Sequence, residues 1–529
     1  MFLSKWGGKI THLLLIGLIL TATLGTPFVS FGATITHNQI VYTITSEPNH
    51  TLEVAVENAT LFRTNTSTIT IPKTITKDGI IYTVTSMATG AFKGAGIKAA
   101  NIQANLITIP AFCFQECTNL ATVILPETLT TIEESAFDGC SSLQAPKSQN
   151  TDTWPLSLTR IGQLAFRQTK MGNLKFPTAK TISIGEGAFF GATITSLSFE
   201  GSNPSEYSLS SPRSSSWGIF ANVKGLYSVI LPAWLTTIPD CFFYGSTLKT
   251  VDMSQISSGN LNIGDEAFAY NTSLEAIRLP EKVNTIGKSC FQGCSHLNTL
   301  GSSRVFQSGK IYLPITEKIN DWAFAGCGFT EITRNSWPAT KTELGSGVFQ
   351  DNLSLTKVST PVWLANIPTY TFRSCQALST LTLHNGLNGI LKHALGYCVS
   401  LKSVLLPYTL TQIDEGAFHA CHLTEISIPE SVKYIGKRAF ASNHLTKIRF
   451  PQPENAEFTP ISFGSYVFES NNDLEDFTFP AWLIKVPEGI FSSCWNLKTV
   501  TFAEGTTNIE KDAFNFCERL QLGNLPNTL

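Results

Sequence analysis

The twelve cysteines are the residues of this chain best equipped for chemistry, and their spacing decides which chemistry is open to them. A thiol can bind a metal, close a disulfide or act as a nucleophile. The stretch "ESAFDGCSSL" (134–143) returns as "KSCFQGCSHL" (288–297), "EGAFHACHL" (415–423) and "EGIFSSCWNL" (488–497). In these and related copies Cys117, Cys140, Cys294, Cys327, Cys375, Cys398, Cys421, Cys494 and Cys517 each stand three residues after a marker position, which is Phe except at Leu395. One inward position per repeat makes a buried column of small side chains, and free Cys buries well. Other copies fill it with Ser246, Ser442 or Thr169. A disulfide framework would show paired positions, whereas a single column recurs here. "CFQEC" (113–117) and "CFQGC" (290–294) resemble metal pairs, but Cys113 and Cys290 replace the Ala before the Phe. In "HACH" (419–422) Cys421 belongs to the column, and His419 and His422 flank it on changing faces. The sequence has no phosphate-binding G-x-x-x-x-G-K-[ST], no H-E-x-x-H and no G-x-S-x-G after a strand. It predicts reduced structural thiols, no enzyme activity, no cofactor and no metal.

Aromatic residues offer a second kind of chemistry, recognition by ring faces. Four copies carry Ile-Pro or Val-Pro where Ile-Gly is usual: "NLITIPAFCF" (105–114), "WLTTIPDCFF" (234–243), "WLANIPTYTF" (363–372) and "WLIKVPEGIF" (482–491). They lie five copies apart, which points to duplication of a five-unit block. The last three share Pro-x-Trp-Leu and place Trp234, Trp363 and Trp482 in line, about 24 Å apart at about 4.8 Å per strand. Longer Ser/Pro/Asn-rich stretches precede them, including 200–217 with Tyr207 and Trp217, and 451–463. Such loops on a rigid scaffold often carry recognition. Trp234, Trp363, Trp482, Trp217 and Tyr207 are therefore the candidate ligand contacts. Packing is the competing role for the three in-line Trp, since Trp usually buries most of its area.

The elements that must position these residues follow from the period. Marker positions run from Phe92 through Phe114, Phe137 and Phe166 to Phe491 and Phe514, about eighteen units of about 23 residues. The unit reads A-F-x-x-C-x-x-L-x-x-V-x-L-P-x-x-L-x-x-I. Its segment L-x-x-V-x-L-P, as in "LKSVLLP" (401–407), alternates apolar and polar residues as a half-buried strand does. A unit this short cannot bury its own apolar side, so neighbours stack. The prediction is a repeat solenoid with a parallel β-sheet along one face. Only 14% of residues are charged and the formal net charge is −2, so no field favours nucleic acid or an anionic membrane.

These I-x-x-x-A-F-x-x-C-x-x-L-x-x-V-x-L-P copies resemble the BspA-like leucine-rich repeats, found in surface proteins of bacteria and some protozoa. The resemblance covers residues 67–529 and implies an adhesin-like protein that binds an extracellular protein or glycan. It does not say which. Residues 33–66 read as alternating strands forming a small N-terminal β cap, and Asp78-Gly79 as a hairpin turn inserted in the first unit. Lys5 and Lys9 precede an apolar run (10–24) and small residues, the pattern of a secretory signal peptide over 1–32. No other apolar stretch is long enough to span a membrane, so the mature chain is expected to have no membrane span and to be secreted or surface-held. "LQLGNLPNTL" (520–529) stops in mid-unit, which predicts end-to-end self-association through an open edge. The alternative to a binder is an envelope-layer spacer without a specific ligand.

Overall fold

The computed structural model describes residues 33–46, 49–54, 68–176, 182–199, 207–211, 217–256, 261–302, 305–452, 459–523 and 525–529. The signal-peptide segment, much of the proposed cap and parts of both inserts lie outside them. The chain is a parallel β-solenoid of about 17 turns, about 23 residues apart, with almost no helix. Most turns contribute three segments, although the stretch 401–407, expected to be a strand, forms none. The first is the alternating strand foreseen from the sequence: Thr122–Leu125 pairs in parallel with Ala99–Ile102 and with Lys147–Ser148. Val123 and Leu125 face the core while Thr122 is exposed. This ladder runs as several short parallel sheets rather than one unbroken sheet. The second is a two-residue strand such as Thr131–Ile132, stacked on Thr108–Ile109 and Arg160–Ile161. It forms a second parallel ladder beside the first.

The third segment is the A-F-x-x-C turn. In one unit the carbonyls of Glu133, Ser135 and Phe137 accept from the amides of Ala136, Asp138 and Cys140 at 3.4, 3.2 and 3.2 Å, giving three successive reverse turns. The remaining amides, on Ser135, Phe137 and Gly139, donate to Gln163, Ala165 and Arg167 of the next unit at 2.9, 2.8 and 2.9 Å. Packing three turns into so few residues forces the second residue on each side of the Phe into the left-handed region: φ is 51° at Ser135 and 74° at Gly139. Inside this edge the marker rings stack with offset: Phe137 lies 5.2 Å from both Phe114 and Phe166, at 3° and 6°. The stack runs from Phe92 to Phe372, is interrupted by Leu395, and resumes from Phe418 to Phe514.

The five-unit period has a hydrogen-bond origin. In the second ladder the residue after the Ile donates backwards: Glu133 to Ile109, Gly162 to Ile132 and Gly264 to Ile238. Proline has no N–H to give, so it starts a sheet instead of continuing one. The ladder accordingly divides into two five-stranded sheets beginning at Thr108–Ile109 and Thr237–Ile238, a third at Asn366–Ile367, and a two-stranded sheet at Lys485–Val486. These strands directly precede Pro110, Pro239, Pro368 and Pro487. The turn edge crosses each of the three inner joints unbroken, as in Asp351 to Arg373 and Ser470 to Ser492.

Ahead of the first unit, Thr34–His37, Ile40–Ser46 and Thr51–Val54 join Ile80–Met87 and Thr74–Lys77 in one five-stranded sheet. Lys77 pairs with Ile80, so Asp78-Gly79 is the two-residue hairpin turn read from the sequence, with positive φ at both residues. Two outcomes test this architecture. Phe137→Ala should cost about 3–5 kcal/mol in denaturant unfolding, whereas exposed Lys357→Ala should stay within about 0.5 kcal/mol. Amides of Thr237, Asn366 and Lys485, which face the proline joints, should exchange hydrogen faster than those of Asn262, Gly389 and Asn508 one unit on. Equal protection would mean that the joints are closed.

Candidate functional site

The cysteine column proves to be a hydrogen-bonding device. In units such as those of Phe92, Phe114, Phe137 and Phe372 the carbonyl at the marker position lies beside the core and already accepts the amide three residues on. The column thiol of the next unit supplies a second donor to it. Cys117 Sγ donates to Phe92 O at 3.0 Å, Cys140 to Phe114 O at 3.0 Å, Cys375 to Phe349 O at 3.3 Å, and Cys421 to Leu395 O at 3.2 Å. Ser246 Oγ does the same for Phe220 O at 2.8 Å. Thr169 turns back to its own Phe166 O at 2.7 Å. Ser442 stands one position too early, and the column residue of that unit is Asn443. Asn271, Asn352, Asn443 and Asn471 each bridge two carbonyls; Asn352 Nδ2 reaches Phe324 O and Phe349 O, both at 2.9 Å. Small donor side chains are therefore interchangeable here.

The tryptophans are latches set at the joints. Trp234 is only 8% exposed. Trp363 and Trp482 are half-buried against the core. Trp363 Nε1 donates to Pro338 O and Trp482 Nε1 to Pro451 O, each at 3.0 Å, so each indole holds the start of the longer stretch before it. Each ring also meets an aromatic edge-on: Phe199 at 6.2 Å, Trp337 at 6.0 Å and Phe450 at 5.8 Å. Trp217 is half-buried and stacks on Phe190 at 5.3 Å. Tyr207 opens the strand Tyr207–Leu209, paired with Ile182–Ile184; its side chain is outside the described set. The structure thus puts Trp234 and Tyr207 at the same joint and separates them from Trp363 and Trp482.

A family profile for the BspA type leucine rich repeat region matches in six overlapping copies: 55–153, 85–208, 145–255, 215–305, 302–424 and 390–521. The chain belongs to the BspA-type leucine-rich repeat family. No curated protein matches it. Among solved structures it is similar to a leucine-rich repeat protein from Bacteroides ovatus, at 22% identity, 84% of this chain, 94% of that one and a TM-score of 0.50. It is also similar to a leucine rich cell surface protein from Faecalibacterium prausnitzii, at 19% identity, 93% and 88% coverage and a TM-score of 0.25. A third is the pneumococcal vaccine antigen PcpA, at 16% identity, 93% and 94% coverage and a TM-score of 0.31.

In this BspA-type array the groups that looked reactive are built into the scaffold. Burial pushes the Cys294 and Cys494 thiols up to about 12, and raises Cys375 and Cys398 as well, so at neutral pH they stay protonated and able to donate. The two histidines of "HACH" part company. His419 meets Tyr397 edge-on at 5.2 Å, while His422 meets His444 at 4.8 Å. Among the described residues no group of three or more His, Cys, Asp or Glu is placed to hold a metal ion. The N-x-[ST] motifs at Asn271 and Asn352 are column positions with no exposure, closed to a glycosylating enzyme in the folded chain. Open space lies instead at the first joint. A cavity of about 140 Å³ is lined by Leu209, Ser211, Trp234 and Pro239, and a neighbouring one of about 420 Å³ by Arg160, Gln163, Ser183 and Glu186. Thiol titration of the native chain should find few reactive groups, with nearly all twelve released on denaturation. Cys140→Ser should be tolerated, whereas Cys140→Ala should cost about 0.5–1.5 kcal/mol by removing one of the two donors to the buried Phe114 carbonyl.

Proposed function

We propose that the protein is exported and held at the cell surface, where it binds an extracellular protein or glycan through its extended face without catalysing a reaction. BspA-type leucine-rich repeat proteins are commonly surface-associated, and the charged n-region and apolar run near the N-terminus supply an export signal. The observation that carries the binding reading is the joint architecture. Two indoles clamp the longer stretches by their proline carbonyls, at joints five units apart, on a scaffold whose turn edge is continuous. Loops held this way are preorganised, which lowers the entropy lost on binding. The buried, protonated thiols and split histidines support a recognition role over a catalytic one.

A matrix-protein and glycan array probed with the purified chain tests this. A binder gives a small set of saturable hits that tighten or weaken when 453–458 is shortened. A spacer gives none. Edman sequencing of the exported protein should begin near Ala33, and an intact Met1 would remove the export part of the reading.

A further inference from the structure

The left-handed turn positions carry a pattern that the scaffold does not require. Gly, which takes positive φ without strain, fills many of them: Gly139, Gly293, Gly347, Gly416 and Gly489. Yet Tyr270, Trp322, Tyr370 and Tyr397 sit at such positions with φ of 58°, 54°, 59° and 65°. A bulky ring there is strained, as Phe112, Tyr466 and Phe516 also are at φ of 57°, 61° and 60°, but the four rings named lie together on one stretch of the edge. Two of these rings lie flat over the glycine of the following unit. A Cβ added to Gly293 would stand 2.7 Å from Tyr270 Cδ1, and one added to Gly347 would stand 2.5 Å from Trp322 Cδ1. One face of each ring is thus covered by backbone. Tyr270 remains 45% exposed. The first three rings belong to units marked by Phe268, Phe324 and Phe372, every second unit, or about 10 Å apart at about 4.8 Å per unit.

Cations accompany the rings. The Lys288 ammonium lies 5.3 Å over Trp322, and the Arg373 guanidinium sits between Tyr370 at 5.7 Å and Tyr397 at 5.1 Å. Neither has a carboxylate within ion-pair reach among the described residues, and Arg373 Nε is buried without an acceptor. Arg438, also over a tyrosine, shows the satisfied case: its Nε is bonded to Glu469 Oε2 at 2.7 Å. His393 stacks on Tyr370 at 5.8 Å and 9°, covering one face of that ring.

We propose that this stretch of the turn edge binds a linear anionic polysaccharide, with Lys288 and Arg373, seated over Trp322, Tyr370 and Tyr397, pairing with its carboxylates or sulfates, and the exposed Tyr270 ring stacking on a sugar. This deepens the surface-binding reading and rests on it. Weakly positive C–H groups on a pyranose face complement the negative face of an aromatic ring. A planar guanidinium accepts a carboxylate or sulfate in two parallel hydrogen bonds. Platforms repeating at unit spacing suit a ligand with its own repeat. A peptide adding as a strand finds no purchase, because the edge amides are already bonded to the next unit.

The test uses the full chain in calorimetric titrations against alginate (carboxylated), dextran sulfate (sulfated), neutral dextran and poly-L-glutamate. The variants are Trp322→Gly and Tyr370→Gly, where glycine suits the backbone, and Arg373→Gln. At least one anionic polysaccharide should bind about tenfold or more tighter than dextran and poly-L-glutamate, and each variant should weaken it about fivefold or more with unchanged thermal melting. The alginate and dextran sulfate arms show which anion is read. Absence of binding to both, equal binding of poly-L-glutamate, or variants that bind as the parent does would overturn the proposal. If it is overturned while the chain still gives specific hits on the matrix-protein array, the surface-binding reading stands; a blank array removes both.

Discussion

The buried carbonyl of the marker phenylalanine is the constraint on which the rest of the molecule depends. Three reverse turns in succession leave it facing the core, and it must be satisfied there. Two left-handed residues per unit cost about 1–2 kcal/mol each where they are not glycine. Three inter-unit amide bonds contribute about 0.5–1.5 kcal/mol each, so the backbone alone comes near to balance. Burying the ring adds about 1.5–3 kcal/mol and tips the result. Where the column residue is Cys, Ser or Asn it adds a donor to that carbonyl, while Ala95, Ala192 and Val223 fill the same position by packing alone.

The two strand ladders are secondary to this edge. Both are interrupted along the chain, and the second is interrupted by rule, wherever a proline removes the backward donor. The edge crosses all three inner joints, whereas the first ladder crosses only the one at Pro368, where Glu331–Ile332 pairs with Lys357–Ser359. A stack built this way can admit longer stretches at a joint without losing register, because the marker rings and their amides carry the alignment past it. The indoles of Trp363 and Trp482 then fix those stretches by their first carbonyl, and the edge-on aromatics replace the Leu that would otherwise end the preceding strand.

Much of the fold was legible because its signals are local and periodic. The alternation around Val123, the inward cysteine column and the Asp78-Gly79 hairpin could all be read from spacing. The second ladder was hidden because strands such as Thr131–Ile132 are too short to show alternation. Pro239 and Pro368 were visible as a slow repeat, but their effect depends on the direction of a hydrogen bond, which composition does not reveal. The site was less legible. Trp234, Trp363 and Trp482 drew attention by type and spacing, yet burial and indole bonds tie them to packing. Tyr270, Trp322 and Tyr370 escaped notice because they are scattered on either side of the marker, and only the left-handed backbone aligns them.

The edge also has a direction. In every unit its inter-unit bonds run from an amide to a carbonyl of the following unit, as from Phe137 to Ala165 and from Phe418 to Ala439. Peptide dipoles in strands largely cancel, but here three per unit point the same way, with N–H groups toward higher residue numbers. That sense is opposite to an α-helix, whose positive pole lies at its N-terminus. The edge is therefore polarised along its length, and a chain-like molecule lying on it, itself different at its two ends, meets inequivalent fields in its two orientations.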